Sequence, residues 1–176
     1  MTILELTNSV RNVPDFPKPG IIFRDITTLL KDRRSFKAVN DILFKRYEDS
    51  KIDKVVGIES RGFVFGASLA LQLGAGFVPI RKKGKLPAET IREEYALEYG
   101  TDTMEIHKDA ISKGERVLLH DDLLATGGTI KAATKLVERL GGTIVEIAFL
   151  IELAFLHGRD NLNGHKIFSI LTVHEE

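Results

Sequence analysis

Residues Arg116 to Ile130 read RVLLHDDLLATGGTI. Val117–Leu119 is a short apolar run of the kind buried in a parallel sheet, and two adjacent carboxylates, Asp121 and Asp122, end it. A linker passes through Ala125-Thr126-Gly127-Gly128-Thr129 into a stretch with Ile130, Ala133, Leu136, Val137 and Leu140 at helical spacing, stopped by Gly141-Gly142. Ligands of a parallel α/β sheet bind beyond the carboxyl ends of its strands. There the free amides and positive dipole end of a helix favour an anion by roughly 0.3–1 kcal/mol. Gly127 and Gly128 let the backbone close on a phosphate, and Thr126 and Thr129 add hydroxyl donors. Two carboxylates beside such a nest would repel the phosphate itself, but they suit hydroxyls a short distance away, as on a ribose ring. Read alone, Thr-Gly-Gly-Thr is equally a generic helix start; the order strand, acid pair, loop, helix favours the phosphate reading.

Outward from this unit, short apolar runs alternate with helical patterns. Asp32 is a good N-cap for a helix with Phe36, Val39, Leu43 and Tyr47 on one face. Val55, Val56 and Ile58 predict a strand, Phe65, Leu69 and Leu73 a helix stopped by Gly74, and Phe77, Val78 and Ile80 another strand. The pattern then breaks from Gly84 to Asp102, a charged stretch long enough to be a lid. Glu89–Tyr95 and Thr103–His107 are expected to pair within it as a small exposed hairpin. Ile144–Ile151 reads as a doubly covered strand, and Ile167–Val173 as the strand closing the sheet edge. One domain over residues 1–176 with an inserted lid is the economical reading.

The composition narrows the function. Across 176 residues the 25 Lys and Arg balance the 25 Asp and Glu. A nonspecific nucleic-acid or membrane-surface binder carries a basic excess, so neither partner is expected. Cysteine is absent, which excludes disulfides and thiolate-held metals and suits a reducing compartment. Met1 to Arg11 lacks the basic start and long apolar core of a signal peptide, and no apolar run approaches the ~20 residues of a membrane span. A cytoplasmic protein is expected.

The stretch Asp121 to Thr129 resembles the signature of the type I phosphoribosyltransferases. Further segments are similar to the adenine-specific branch of that family: Pro14–Pro17 through Gly20–Ile26, Glu59-Ser60-Arg61-Gly62-Phe63, Arg81–Pro87, and Leu97-Glu98-Tyr99-Gly100. The resemblance runs in order along nearly the whole chain. It implies a type I phosphoribosyltransferase fold, a mainly parallel twisted sheet flanked by helices, with an N-terminal hood over residues 1–30 and a flexible lid over 84–102. It also implies transfer of the 5-phosphoribosyl group of phosphoribosyl pyrophosphate to adenine, giving AMP and pyrophosphate.

By the same resemblance, Ala125, Thr126, Gly127, Gly128 and Thr129 hold the 5-phosphate, and Asp121 and Asp122 the ribose hydroxyls. Phe23 and Leu123 sandwich the purine, while the backbone around Ile22 and Arg24 hydrogen-bonds its edge. Glu59, Ser60 and Arg61 form the pyrophosphate loop, with a cis peptide expected at Glu59-Ser60. Arg81, Lys82 and Lys85 serve pyrophosphate; in isolation this basic run is better read as a solvated face. One basic residue there reaches a neighbouring subunit's site, implying a homodimer. Glu98 in the lid, beside Tyr99, handles a proton on the purine. Mg²⁺ is implied as carried by pyrophosphate and ribose, with no direct protein ligand. His120 departs from the aliphatic residue usual in the family, and is expected to point away from Asp121 as a packing variation.

Three other readings compete. A transferase for another base conflicts with the matches at Phe23-Arg24-Asp25 and Leu97–Gly100. A transcriptional regulator that kept the pocket as a sensor conflicts with zero net charge. A dinucleotide binder needs a G-x-G-x-x-G turn after a strand, and the sequence has none.

Overall fold

The strand that carries the acid pair, β7 (Arg116–Leu124), is longer than the sequence suggests and runs through Asp121 and Asp122 rather than stopping before them. Its partner β8 (Thr143–Leu153) extends alongside, pairing Asp121 with Phe149, Leu123 with Ile151 and Leu124 with Glu152. The carboxylates are therefore mounted on a sheet and not on a loop. The computed structural model describes residues 1–96 and 101–175.

Before β7 come α1 (Ile3–Ser9), β1 (Arg11–Val13), β2 (Phe23–Asp25), α2 (Thr27–Lys31), α3 (Arg33–Tyr47), β3 (Lys54–Ile58), α4 (Gly62–Leu73), β4 (Gly76–Lys82), β5 (Thr90–Ala96) and β6 (Thr101–His107). After it come α5 (Gly128–Arg139), β8, two 3₁₀ turns at Ala154–Leu156 and Gly158–Leu162, and β9 (Ile167–Val173). The seven-stranded sheet has the order β5-β6-β4-β3-β7-β8-β9, with β4, β3, β7, β8 and β9 parallel. β1 and β2 make a separate antiparallel pair.

Alternation along the strands sorts the apolar side chains to two cores. Val55 and Leu118 join Leu43, Phe65 and Leu69 under the helices α1 to α4. Val56, Val117 and Leu119 join Ile130, Leu136 and Val137 under α5. Asp32 caps α3 by accepting from the Ser35 amide at 2.8 Å, and Gly74, at φ 66°, ends α4, both as the sequence predicts. The early helices α1 and α2 were not anticipated.

The expectation of a small exposed hairpin needs correction. β5 and β6 do pair antiparallel, but β6 also pairs with β4, so the hairpin extends the main sheet. Met104 and Ile106 are buried in the core, and Glu105 between them is 1% exposed. That carboxylate takes the Gly84 amide at 2.9 Å, the Leu86 amide at 3.2 Å and Arg92 Nε at 3.1 Å, which ties the loop after β4 to the hairpin. Among the described residues, no helix is long and apolar enough to cross a membrane.

A second buried acid locks α3 to β8. Arg46 donates to both Glu146 oxygens at 2.6 and 2.7 Å, and Tyr47 Oη donates to one of them at 2.6 Å. Burial pushes the Glu146 carboxyl up, but these donors outweigh it and its pKa is lowered. Glu146→Ala strands a buried phenol and a half-buried guanidinium. The expected loss is about 2–3 kcal/mol, below the range for a fully buried pair because Arg46 reaches solvent, and it is read from denaturant unfolding at pH 7.

Candidate active site

A cavity of about 320 Å³ opens at the carboxyl ends of β3 and β7, where a parallel sheet places its ligands. Asp121, Asp122, Leu123, Ala125, Thr126, Gly127, Gly128 and Thr129 line one side. Glu59, Ser60, Arg61 and Lys82 line the other. The sequence-predicted phosphate, ribose and pyrophosphate elements therefore share one space.

The phosphate loop is shaped by glycine. Gly127 stands at φ 85° as the N-cap of α5, and no side chain caps that helix start. Its first amides are left for a ligand, at the positive end of the dipole. A Cβ at Gly127 would lie 2.5 Å from the Gly158 carbonyl oxygen. Asn161 Nδ2 donates to the Thr126 carbonyl at 2.7 Å. The turn Gly158–Leu162 thus buttresses the loop from behind, a role sequence reasoning missed.

Asp121 and Asp122 are the unusual electrostatic feature. Asp122 is 3% exposed, and Asp121 Oδ1 accepts its backbone N–H at 2.9 Å. Burial drives both carboxyls above their ordinary range; for Asp121 the neighbouring Asp122 charge adds to the rise, and for Asp122 the Arg61 guanidinium opposes it. Arg61 Nε lies 3.0 Å from Asp122 Oδ2, yet out of line for a hydrogen bond, so that buried oxygen is left without one. An oxygen of this kind suits a hydroxyl donor such as that of a ribose. Gly62 allows the close approach of α4 to β7, because a Cβ there would meet Asp121 Oδ1 at 2.9 Å and the His120 carbonyl oxygen at 3.0 Å.

On the opposite wall the Glu59-Ser60 peptide is cis, as the resemblance implied. Glu59 accepts from Arg81 Nε at 3.2 Å, Arg81 Nη2 at 3.1 Å and the Lys82 amide at 3.0 Å. Arg81 above all holds the Glu59 carboxyl below its usual range. Arg81 also donates to the Lys85 carbonyl at 3.1 Å. Of the three basic residues, Lys82 lines the cavity and Arg81 and Lys85 do not.

The predicted base-binding residues divide. Leu123 lines the cavity; Ile22, Phe23 and Arg24 do not. Phe23 is nonetheless joined to it, since the Arg61 guanidinium carbon stands 5.1 Å from the Phe23 ring centre and Phe16 packs edge-on to the same ring. Arg24 Nη1 donates to Asn12 at 2.7 Å, binding β2 to β1. Glu98 and Tyr99 lie outside the described residues.

Two rim residues escaped the sequence reading. Tyr95 lines the cavity, and its hydroxyl donates to Asp102 Oδ2 at 3.2 Å; Lys82 Nζ lies 3.1 Å from the same oxygen. The strand register Tyr95↔Asp102 brings them together, and a sequence reading that fixed that register would have found them.

His120 is fully buried, and its ring lies beside Gly66 of α4. Neither ring nitrogen has a hydrogen bond; the Ala148 backbone is near but outside hydrogen-bond geometry. Desolvation lowers its pKa from 6.5 to about 4. The unfolded chain therefore binds more protons between those pH values. Stability from the neutral ring is complete above pH 6.5 and lost as the pH falls toward 4. His120→Val is expected to remove about 2 kcal/mol of the difference between pH 7 and pH 4.5, measured by urea unfolding.

Comparison with known proteins agrees with this geometry. The sequence pattern of the phosphoribosyl transferase domain family matches residues 25–170. The adenine phosphoribosyltransferase of Solibacter usitatus is 60% identical over 167 residues, 95% of this chain and 96% of that one. The crystal structure of adenine phosphoribosyltransferase from Thermoanaerobacter pseudethanolicus superposes with a TM-score of 0.95 at 55% identity, covering 98% of this chain and all of that one. The Saccharomyces cerevisiae adenine phosphoribosyltransferase, crystallised with adenine and an imino-altritol bisphosphate, superposes with a TM-score of 0.91 at 44% identity, over 96% and 98% of the two chains.

Proposed function

The chain belongs to the phosphoribosyl transferase family, and we propose that its cavity joins adenine to the phosphoribosyl group of phosphoribosyl pyrophosphate, releasing AMP and pyrophosphate. One observation carries this reading above the rest: an acid pair, Asp122 buried with an unsatisfied oxygen and Asp121 half-buried beside it, stands next to an uncapped, glycine-shaped helix start in a single cavity. Phosphate and pentose sites are then adjacent, as they are in a ribose 5-phosphate.

In the proposed reaction the bond from C1 of the ribose to pyrophosphate breaks as the sugar gains oxocarbenium-like charge, and N9 of adenine attacks the opposite face. Amides of 125–129 hold the 5-phosphate. Asp121 and Asp122 accept the ribose hydroxyls. Their ionised forms, disfavoured by burial in the free protein, are stabilised by those donors and by the positive sugar. Ser60, Arg61 and Lys82 receive the departing pyrophosphate. Arg81 and Lys85 are also assigned to it; one basic residue of this run serves a neighbouring subunit's site, so the working unit of this reading is a homodimer.

Phe23 and Leu123 stack the base, with the backbone of Ile22 and Arg24 at its edge. Glu98 moves the purine proton, and Tyr99 closes over the site within the 84–102 lid. The hood, residues 1–30, completes the base side of this single domain. Among the described residues, no cluster of three or more His, Asp or Glu is arranged to hold a metal. Magnesium is implied by the resemblance as carried by pyrophosphate and ribose; bound there it would supply neutralising charge to pyrophosphate, while Asp121 and Asp122 hold the ribose hydroxyls. A cytoplasmic location belongs to this reading and is supported by phosphoribosyl pyrophosphate, a polyanion that does not cross a membrane unaided.

The test is an assay of purified protein with phosphoribosyl pyrophosphate, magnesium and each of labelled adenine, guanine, hypoxanthine and xanthine. AMP from adenine, with the other three much slower, is the expected result. No AMP would overturn the assignment.

A further inference from the structure

We propose that Asp102 is a displaceable internal counter-ion that competes with pyrophosphate for Lys82 and thereby sets how tightly that anion is held. The inference rests on the reading of Lys82 as a pyrophosphate-binding cation.

Lys82 and Tyr95 line the cavity, and Asp102 stands behind them at its rim. The Asp102 carboxylate is held from three sides. Its Oδ1 accepts the Thr103 amide at 2.8 Å, and its Oδ2 meets both the Tyr95 hydroxyl and Lys82 Nζ. The Thr103 amide, followed by Lys82, keeps the acid below its usual pKa range, so it is charged at neutral pH. Lys82 is the movable member: its side chain is 59% exposed against 25% for Asp102. Ion pairs with that much solvent are weak and exchange readily.

The other cations at this wall are held differently. Arg81 meets Glu59 through two nitrogens, and Arg61 pairs with Asp122 inside the site. The pairing of Lys82 with Asp102 involves a carboxylate that does not line the cavity, so this acid is free to take the cation back without occupying substrate space. A polyanion carries more charge than one carboxylate and displaces it. Breaking the pair nevertheless subtracts from the affinity. Pyrophosphate is bound first as part of the donor and must later leave as product, and recapture of Lys82 by Asp102 assists the departure.

Calorimetric titration of pyrophosphate, with magnesium, into the wild type and into Asp102→Asn, Lys82→Met and the double variant tests this. Asp102→Asn is expected to bind pyrophosphate about two- to five-fold tighter, the size of an exposed ion pair. Lys82→Met should bind it more weakly, and adding Asp102→Asn to Lys82→Met should change nothing further. Unaltered AMP affinity shows that the fold persists. Asp102→Ser, which keeps an acceptor for the Thr103 amide without the charge, should behave as Asp102→Asn does. Unchanged or weaker pyrophosphate binding by both neutral variants overturns the proposal. So does equal tightening in the Lys82→Met background, which would reflect general charge. A Lys82→Met variant with wild-type pyrophosphate affinity removes the Lys82 assignment itself and the proposal with it.

Discussion

Replacing Asp121 and Asp122 together by asparagine is expected to lower kcat/KM for phosphoribosyl pyrophosphate by about 10³-fold while leaving the protein at least as stable. A hydrogen bond to a charged group is worth about 1.5–3 kcal/mol, so losing two charged acceptors costs roughly 10²–10⁴ in rate. The amides and hydroxyls of 125–129 are untouched, so AMP should still bind through its phosphate. Stability moves the other way. Both carboxyls are raised by burial, meaning the folded chain binds more protons than the unfolded one above the ordinary Asp pKa. Their ionisation therefore opposes folding as pH rises, and neutral side chains of the same shape remove that penalty. Arg61, whose side chain is 36% exposed, keeps water as a partner when Asp122 loses its charge. Steady-state kinetics and thermal unfolding at pH 7 decide the matter. A double variant within ten-fold of wild-type turnover would remove the ribose role of the pair.

The opposition between activity and stability also explains which features were legible in the sequence. Asp121-Asp122 sets two like charges side by side at a partly buried strand end, and what marked them in the sequence was the order strand, acid pair, glycine loop, helix. The strand β9 and the cap of α3 at Asp32 were legible for a simpler reason, because local signals and tertiary packing agree there. Helix α1 could have been read as well. Thr2 and Glu5 form a capping box, with the Glu5 amide donating to Thr2 Oγ1 at 3.2 Å and the Thr2 amide to Glu5 Oε2 at 2.6 Å. The β5–β6 hairpin was misplaced because Met104-Glu105-Ile106 alternates like a half-exposed strand, whereas Glu105 is as buried as its neighbours. The distant donors Gly84, Leu86, Thr90 and Arg92 make its burial tolerable, and sequence periodicity is blind to such partners. His120 was expected to face away from Asp121 as a packing variation; it is fully buried beside Gly66, and nothing in the sequence announced that its nitrogens would go unpaired.

Long-range support is the hardest thing to read, and Gly158→Ala exposes it. Gly158 follows the phosphate loop by about thirty residues and belongs to no recognisable motif. In the folded chain it is buried, and a Cβ there would stand 2.1 Å from the Ala125 carbonyl oxygen and 3.0 Å from Leu124 Cδ1. The first of these is backbone, so no flexible side chain can yield. The reverse contact is equally tight, with Gly127 against the Gly158 carbonyl. Adding one methyl group must move either the turn or the loop. The turn is anchored by Leu162 in the core, and through Asn161 by its bond to Thr126. The loop is the softer element, and displacing its amides by about 1 Å is expected to cost about 10²-fold in kcat/KM for phosphoribosyl pyrophosphate. AMP affinity should fall in parallel, because both ligands carry the 5-phosphate, and unfolding should cost about 1–3 kcal/mol less. Asn161→Ala removes one neutral hydrogen bond and should weaken the same constants by only about five-fold. Wild-type AMP affinity in Gly158→Ala would mean that the turn yields instead, and that the loop keeps its shape without the buttress.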